Sequence, residues 1–252
     1  MTQTENHILT EQIGSILKIE FNRPEKKNAL TFAMYDTVTA TLKSADEDPS
    51  INVIYITGRG NAFTAGNDLD DFLNRGKDPH KAGAAGRFIK QISITQKPIV
   101  AAVNGVAVGV GATMLLHYDL VYASTQAMIN YAFIDLGVVP EAASGYLLAQ
   151  TVGPRRAAEL FMLNERIGGQ QAYEMGLVNG VTEPGQLHKI AWGKAEKLAQ
   201  KPAAAMRDMK MLMKRASAEL VAEQMEVEGK IFHERVMSDE SRAILQKFLS
   251  KA

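Results

Sequence analysis

Lys97-Pro98-Ile99-Val100-Ala101-Ala102-Val103-Asn104-Gly105-Val106-Ala107-Val108-Gly109-Val110-Gly111-Ala112-Thr113 is the stretch whose reading decides the fold. Ile99 to Val103 is a short, unbroken apolar run entered through a proline, the pattern of a strand buried on both faces. A Gly-rich turn follows, and Met114, Leu115 and Leu116 continue as a buried helix. Gly105, Gly109 and Gly111 let the backbone turn tightly and let a ligand come close to it. A strand, a turn and a helix start in succession present free N–H groups at the positive end of a helix dipole. Such a place suits an anion, bound or formed during a reaction. It is neither a Walker loop, since no Gly-Lys-Ser/Thr follows, nor a dinucleotide fingerprint, since the glycine spacing differs. A purely structural turn explains these residues equally well.

The same unit occurs upstream. Val53 to Thr57 is a β-branched strand, and Gly58 to Gly66 is a loop of mostly small residues. Asn67-Asp68-Leu69-Asp70-Asp71 then opens a helix with acidic residues where the dipole favours them. Asp68, Asp70 and Asp71 read as a solvated first turn in preference to metal ligands, because no His or further carboxylate lies at a ligand spacing. If the two strands are parallel neighbours, both turns open at one end of the sheet. Two free N–H groups can then converge on one oxygen, the geometry of an oxyanion hole.

Around these units the chain is ordinary. Ile13 to Phe21 reads as a strand and 22–30 as a polar loop; Thr31 caps a helix with Met34, Val38 and Leu42 on one face. Asp119 to Ala123 and Ala127 to Asn130 are short strands, and Val139-Pro140-Glu141 opens a helix with Pro at its first position. Residues 76–85 are polar and loop-like. Beyond Gly153-Pro154 the pattern is helical, with two apolar stripes on Ser217 to Val236 and a last helix capped by Ser238. Met206, Met209, Met211 and Met213 read as core packing. His117 and Asp119 read as satisfying local backbone groups, and Ser144 as either touching a site near Glu141 or filling space. The chain divides into a β/α part, 1–195, and a helical part, 196–252.

The formal net charge is zero over 252 residues, so no electrostatic footprint for nucleic acid or an anionic membrane is present. The absence of cysteine excludes disulfides, thiolate metal sites and a cysteine nucleophile. The polar Met1 to Gln12 is no secretory signal, no apolar run reaches membrane-spanning length, and Ser250-Lys251-Ala252 is not a peroxisomal Ser-Lys-Leu address. A cytoplasmic protein is the expectation.

Several pieces, in this order and spacing, resemble the crotonase (enoyl-CoA hydratase/isomerase) superfamily. They are Asn22-Arg23-Pro24 with Asn28-Ala29-Leu30, Phe63 to Leu69, Pro98 to Gly111, Leu136-Gly137 with Pro140, and Gly176-Leu177-Val178. Within it, Gly66-Asn67-Asp68-Leu69, Tyr122-Ala123-Ser124 and Met237-Ser238-Asp239-Glu240 are similar to the peroxisomal-type Δ3,Δ2-enoyl-CoA isomerases. The resemblance implies an α/β fold, a crotonase-type spiral of ββα turns with a C-terminal helical trimerisation region, assembled as a homotrimer or a dimer of trimers. It implies an acyl-CoA substrate, whose CoA is part of the substrate and no cofactor, with no metal. The thioester oxygen would receive the N–H groups of Asn67 and Val110. Ala65, Gly66, Asp68, Leu69, Gly109 and Phe133 would lie along the substrate, with Lys27 (and Lys26) at the phosphates.

The resemblance also carries a departure. Hydration uses two carboxylates around one water, and the two positions at which the hydratases carry Glu fall here on Thr113 and Phe133. Neither ionises near neutral pH. The single acid/base of the isomerases falls on Glu141. Read alone, Glu141 is a surface glutamate in a helix first turn; read with the resemblance, it is the base of a 1,3-proton shift in fatty-acid β-oxidation. Other acyl-CoA reactions (ring-derived isomerisation, dehalogenation, thioester hydrolysis, hydration) and a non-catalytic binding protein on the same fold remain the alternatives.

Overall fold

The computed structural model describes residues 6–74 and 83–249; most of the 76–85 loop lies outside them. Strands β1 (Ile8–Ile13) and β2 (Ile16–Phe21) form an antiparallel hairpin. The sequence predicts one strand from Ile13, and two are present because Gly14 turns the chain with φ 58°. Exposed Glu11 and Gln12 hide β1 from a hydropathy reading. Helix α1 (Phe32–Glu47) follows, its first turn capped by the Thr31 hydroxyl, which accepts the Met34 N–H at 3.3 Å.

Three strand pairs then wind the spiral. They are β3 (Val53–Gly58) with β4 (Ala62–Thr64), β5 (Ile99–Val103) with β6 (Val106–Val108), and β7 (Leu120–Ser124) with β8 (Met128–Asn130). Between the first two pairs come α2 (Leu69–Asn74) and α3 (Ala84–Ile94), and after β6 comes the short α4 (Val110–Thr113). Beyond β8 lie α5 (Ser144–Val152), α6 (Pro154–Met162), β9 (Ile167–Gly168), α7 (Gly169–Glu174) and β10 (Gly180–Thr182). Helices α8 (Pro184–Ala199), α9 (Ala203–Lys214), α10 (Ala218–Val236) and α11 (Asp239–Leu249) complete the chain. The first strand of each pair enters a six-stranded sheet, β1-β2-β3-β5-β7-β10, and the second a four-stranded sheet, β4-β6-β8-β9.

β3 and β5 are parallel neighbours, with Ile56 opposite Ala101. The loops that follow them therefore leave at the same end, as the convergence of two turns requires. Both strands read as continuous apolar runs because both faces are covered. Ile54, Ile56, Ile99 and Ala101 face the main core; Val53, Tyr55, Val100 and Ala102 face Leu187, Ala191 and Ala195 of α8. Phe232, Val236 and Leu245 join the main core, so the C-terminal helices pack on the spiral.

Two local expectations are corrected. No helix begins at Pro140: Ala142 (φ 65°) and Ala143 (φ 55°) are left-handed, and α5 starts only at Ser144. The methionines of α9 do not fill a core. Met209, Met211 and Met213 are exposed, because the helix turns Lys210 inward. The Lys210 ammonium donates to Asp119 at 2.7 Å and to the Lys97 carbonyl at 2.8 Å, so ion pairing and not hydropathy orients α9. Among the described residues no helix is long and apolar enough to cross a membrane.

Candidate active site

The loop after β4 and the start of α4 meet through Gly66. Its φ is 90°, and a Cβ there would lie 2.6 Å from the Val108 carbonyl oxygen, so only glycine lets the two segments touch. The contact sets Asn67 beside Val110, and neither N–H has a protein acceptor among the described residues. Asn67 is bridged on its other side to Leu30, with the Leu30 N–H on the Gly66 carbonyl (2.7 Å) and the Asp68 N–H on the Leu30 carbonyl (2.9 Å). The Tyr35 hydroxyl donates to Asn67 Oδ1 at 2.7 Å, fixing the carboxamide as well. Val110 opens α4 after Gly109 (φ 55°), so its N–H is one that the helix cannot use.

Glu141 faces these two amides across a cavity of about 220 Å³ whose lining includes Asn67, Asp68, Val110, Glu141, Phe232 and His233. Glu141 also borders a second cavity of about 450 Å³, lined by Leu116, Leu147, Val221 and Met225 among others. The carboxylate thus stands where an amide-lined chamber adjoins a larger one. It is 8% exposed; Oε1 accepts the Thr113 hydroxyl at 2.5 Å, and Oε2 has no protein partner. Burial pushes its pKa up to about 7, the Thr113 bond opposes the rise, and the charge of Glu228 adds to it. A carboxyl poised near neutrality can both take and return a proton.

The other acidic residues of the chamber are engaged. Asp68 pairs with Arg23 at 2.6 Å and accepts the Asp70 and Asp71 amides of α2. Burial raises its pKa, but the Arg23 bond, the amides and the Arg23 charge outweigh that and hold it below the ordinary value. Asp71 accepts the Phe32 N–H at 2.7 Å. Among the described residues no three His, Asp or Glu side chains come together as metal ligands.

Ala65, Gly66 and Gly109 lie on the two loops that carry the free amides and Leu69 opens α2; the linings of the two cavities do not include them. Lys27 is exposed, in a left-handed turn whose carbonyl accepts the Ala65 N–H at 2.9 Å. Phe133 lines neither cavity either; its ring is 5% exposed and is drawn into an aromatic cluster with Phe161. His117 is buried and neutral, its pKa pushed down to about 4 by burial, and its Nε2–H donates to the Ala142 carbonyl at 2.8 Å. Ser144 donates its N–H to the Glu141 carbonyl at 3.1 Å. Sequence reasoning passed over Thr113 as the partner of Glu141. It also passed over Glu228, whose one signal is its place on the Met225–Phe232–Val236 stripe of α10.

A model of the enoyl-CoA hydratase/isomerase family matches residues 11–252. The chain belongs to that family. It is 33% identical over 254 residues to enoyl-CoA delta isomerase 2 of Rattus norvegicus; the match covers 99% of this chain but about 65% of the length of that relative. It is 30% identical over 250 residues to the 1,2-epoxyphenylacetyl-CoA isomerase of Escherichia coli (strain K12), covering 97% of this chain and 95% of that one. A solved enoyl-CoA hydratase/isomerase from Pseudoalteromonas atlantica T6c has the same architecture, with a TM-score of 0.92, 38% identity and 98% of both chains covered. The ββα spiral with its C-terminal helices is the crotonase fold.

Proposed function

We propose that this member of the enoyl-CoA hydratase/isomerase family is a Δ3,Δ2-enoyl-CoA isomerase. The observation that carries the reading is the position of Glu141. It borders the same chamber as the free N–H groups of Asn67 and Val110, with one carboxylate oxygen unengaged. The thioester oxygen of a 3-enoyl-CoA accepts both amides. Glu141 takes the C2 proton, and the electron pair of the broken C–H bond spreads over the carbonyl and the C3–C4 double bond as a dienolate. The same carboxyl then returns the proton to C4, leaving the double bond between C2 and C3. Each oxyanion donor is worth ~10²–10³ in rate and the placed base ~10²–10⁴.

One carboxylate suffices for this shift, while hydration needs a second one around a water. Thr113 occupies Glu141 Oε1 without being able to act as a base. No metal or redox group takes part, and CoA enters as part of the substrate. The acyl group extends past Glu141 into the larger chamber, and the chain associates as a trimer or a pair of trimers.

The test is a paired assay of the purified protein on a 3-enoyl-CoA and a 2-enoyl-CoA, with Glu141→Gln alongside. Isomerisation of the first, no hydration of the second and collapse in the variant support the reading. Full activity of Glu141→Gln removes it. The E. coli relative, covered over 95% of its length, favours a ring-derived acyl-CoA as the second reading. Turnover of such a substrate in place of a linear 3-enoyl-CoA would establish it.

A further inference from the structure

The segment that carries Glu141 is held from two sides in a conformation that residues with a Cβ seldom adopt. Ala142 and Ala143 are consecutive non-glycine residues in the left-handed region, and such strain persists where the surroundings enforce it. On one side His117 donates to the Ala142 carbonyl. On the other, Glu228 reaches across from α10. Its Oε1 accepts the Gly145 N–H at 2.9 Å and the Gln224 side-chain amide at 2.9 Å. A Cβ on Gly145 would lie 2.8 Å from that oxygen, so the contact fits because residue 145 has no side chain.

Glu228 is 6% exposed, and its second oxygen has no protein partner. Four buried side-chain polar atoms among the described residues lack a partner: Asn104 Oδ1, Glu141 Oε2, Ser144 Oγ and Glu228 Oε2. All but the first belong to the Glu141 turn and to the glutamate that bonds it.

We propose that Glu228 is a positioning residue for Glu141: reaching from α10 to the Gly145 N–H, it fixes the turn that presents the base and stands as a carboxyl close to it. The proposal rests on the reading of Glu141 as the base. Burial pushes Glu228 up, while Gln224 and the amides of Gly145, Ala143 and Ser144 act to keep it ionised. The other ionisable groups bordering the two chambers are Asp68 and Asp71 of α2, Lys90 of α3, His117, Lys214 of α9, and Glu226 and His233 of α10. Of all these charges, that of Glu228 is the one that raises Glu141. Lys214 is spent on the His117 carbonyl, at 2.8 Å.

The experiment compares wild type, Glu228→Gln and Gln224→Leu by the pH dependence of kcat/KM and by a carbon-13 titration of the Glu141 carboxyl, assigned by its loss in Glu141→Gln. Glu228→Gln keeps an acceptor for Gly145 but removes the charge, so the Glu141 midpoint falls by about half a unit or more. Gln224→Leu leaves Glu228 in place and removes a donor that keeps it ionised, so it moves the midpoint the same way by a smaller amount. Titrations that superimpose on wild type in both variants overturn the proposal and leave the isomerase reading intact. Full activity of Glu141→Gln overturns both, since no base then remains to be positioned.

Discussion

The Thr113 hydroxyl lies 2.5 Å from Glu141 Oε1, a donor supplied by α4, the same short helix whose first residue, Val110, offers a free N–H. One element therefore orients the base and holds one of the two amides. The bond favours the ionised carboxylate, and a hydrogen bond to a charged group is worth about 1.5–3 kcal/mol. Thr113→Val should raise the Glu141 midpoint by roughly one to two units and lower kcat/KM at pH 7 accordingly. Thr113→Ser should restore it. A pH–rate profile of both variants checks this, and an unmoved profile in the valine variant would show that the bond does not govern the base.

Wild type should show kcat/KM rising with pH through about 7, as Glu141 loses its proton. Stability should move the other way. The folded value lies above the ordinary 4.5, so the fold favours the protonated form. That contribution is full below the unfolded value and is lost as pH rises through about 7. Between pH 5 and pH 8 the wild type should lose on the order of 2–3 kcal/mol relative to Glu141→Gln. Urea unfolding of the two proteins at both pH values measures the difference. Equal pH dependence would mean that Glu141 is not the buried acid described.

Gly66→Ala should damage catalysis more than folding. The new methyl group meets the Val108 carbonyl at 2.6 Å and requires φ 90° of an alanine, a conformation that costs roughly 1–2 kcal/mol before any collision. The loops must separate to relieve it, which withdraws the Asn67 N–H from Val110. The expected result is a loss of at least ~10² in kcat, the range for one oxyanion donor, in a protein that still unfolds cooperatively. Comparison of kcat with the urea midpoint separates the two effects.

The fold was legible where local chemistry and burial agree. The runs at 53–57 and 99–103 are apolar on both faces because both faces are covered, and Thr31 caps α1 as its position requires. That two strand–turn–helix units would leave free N–H groups was legible in the sequence; that these would belong to Asn67 and Val110 came from the resemblance. What failed were features set by distant partners. Pro140 promises a helix start, but His117 and Glu228 pin residues 142–145 in another conformation. The α9 methionines promise a core, but Lys210 takes the inner side to reach Asp119. Glu228 is sequence-silent for the same reason: a glutamate on an amphipathic helix reads as solvated until its partner, the Gly145 amide, is known.

The C-terminal helices expose large apolar side chains. Met209, Met211, Leu212 and Met213 of α9 and Leu220, Val227 and Ile231 of α10 are all exposed on one chain. This many large apolar side chains exposed on two successive helices point to an interaction face, and a closed ring of identical chains buries such side chains without leaving an open edge. Sedimentation velocity should therefore give the mass of a trimer or hexamer. Leu212→Glu combined with Val227→Glu should shift it toward the single chain, since each buried carboxylate would lack a partner. Because α10 also carries Glu228 and Phe232 at the active site, the dissociated variant should lose activity along with assembly. A variant that stays assembled and active would place the contact elsewhere on the molecule.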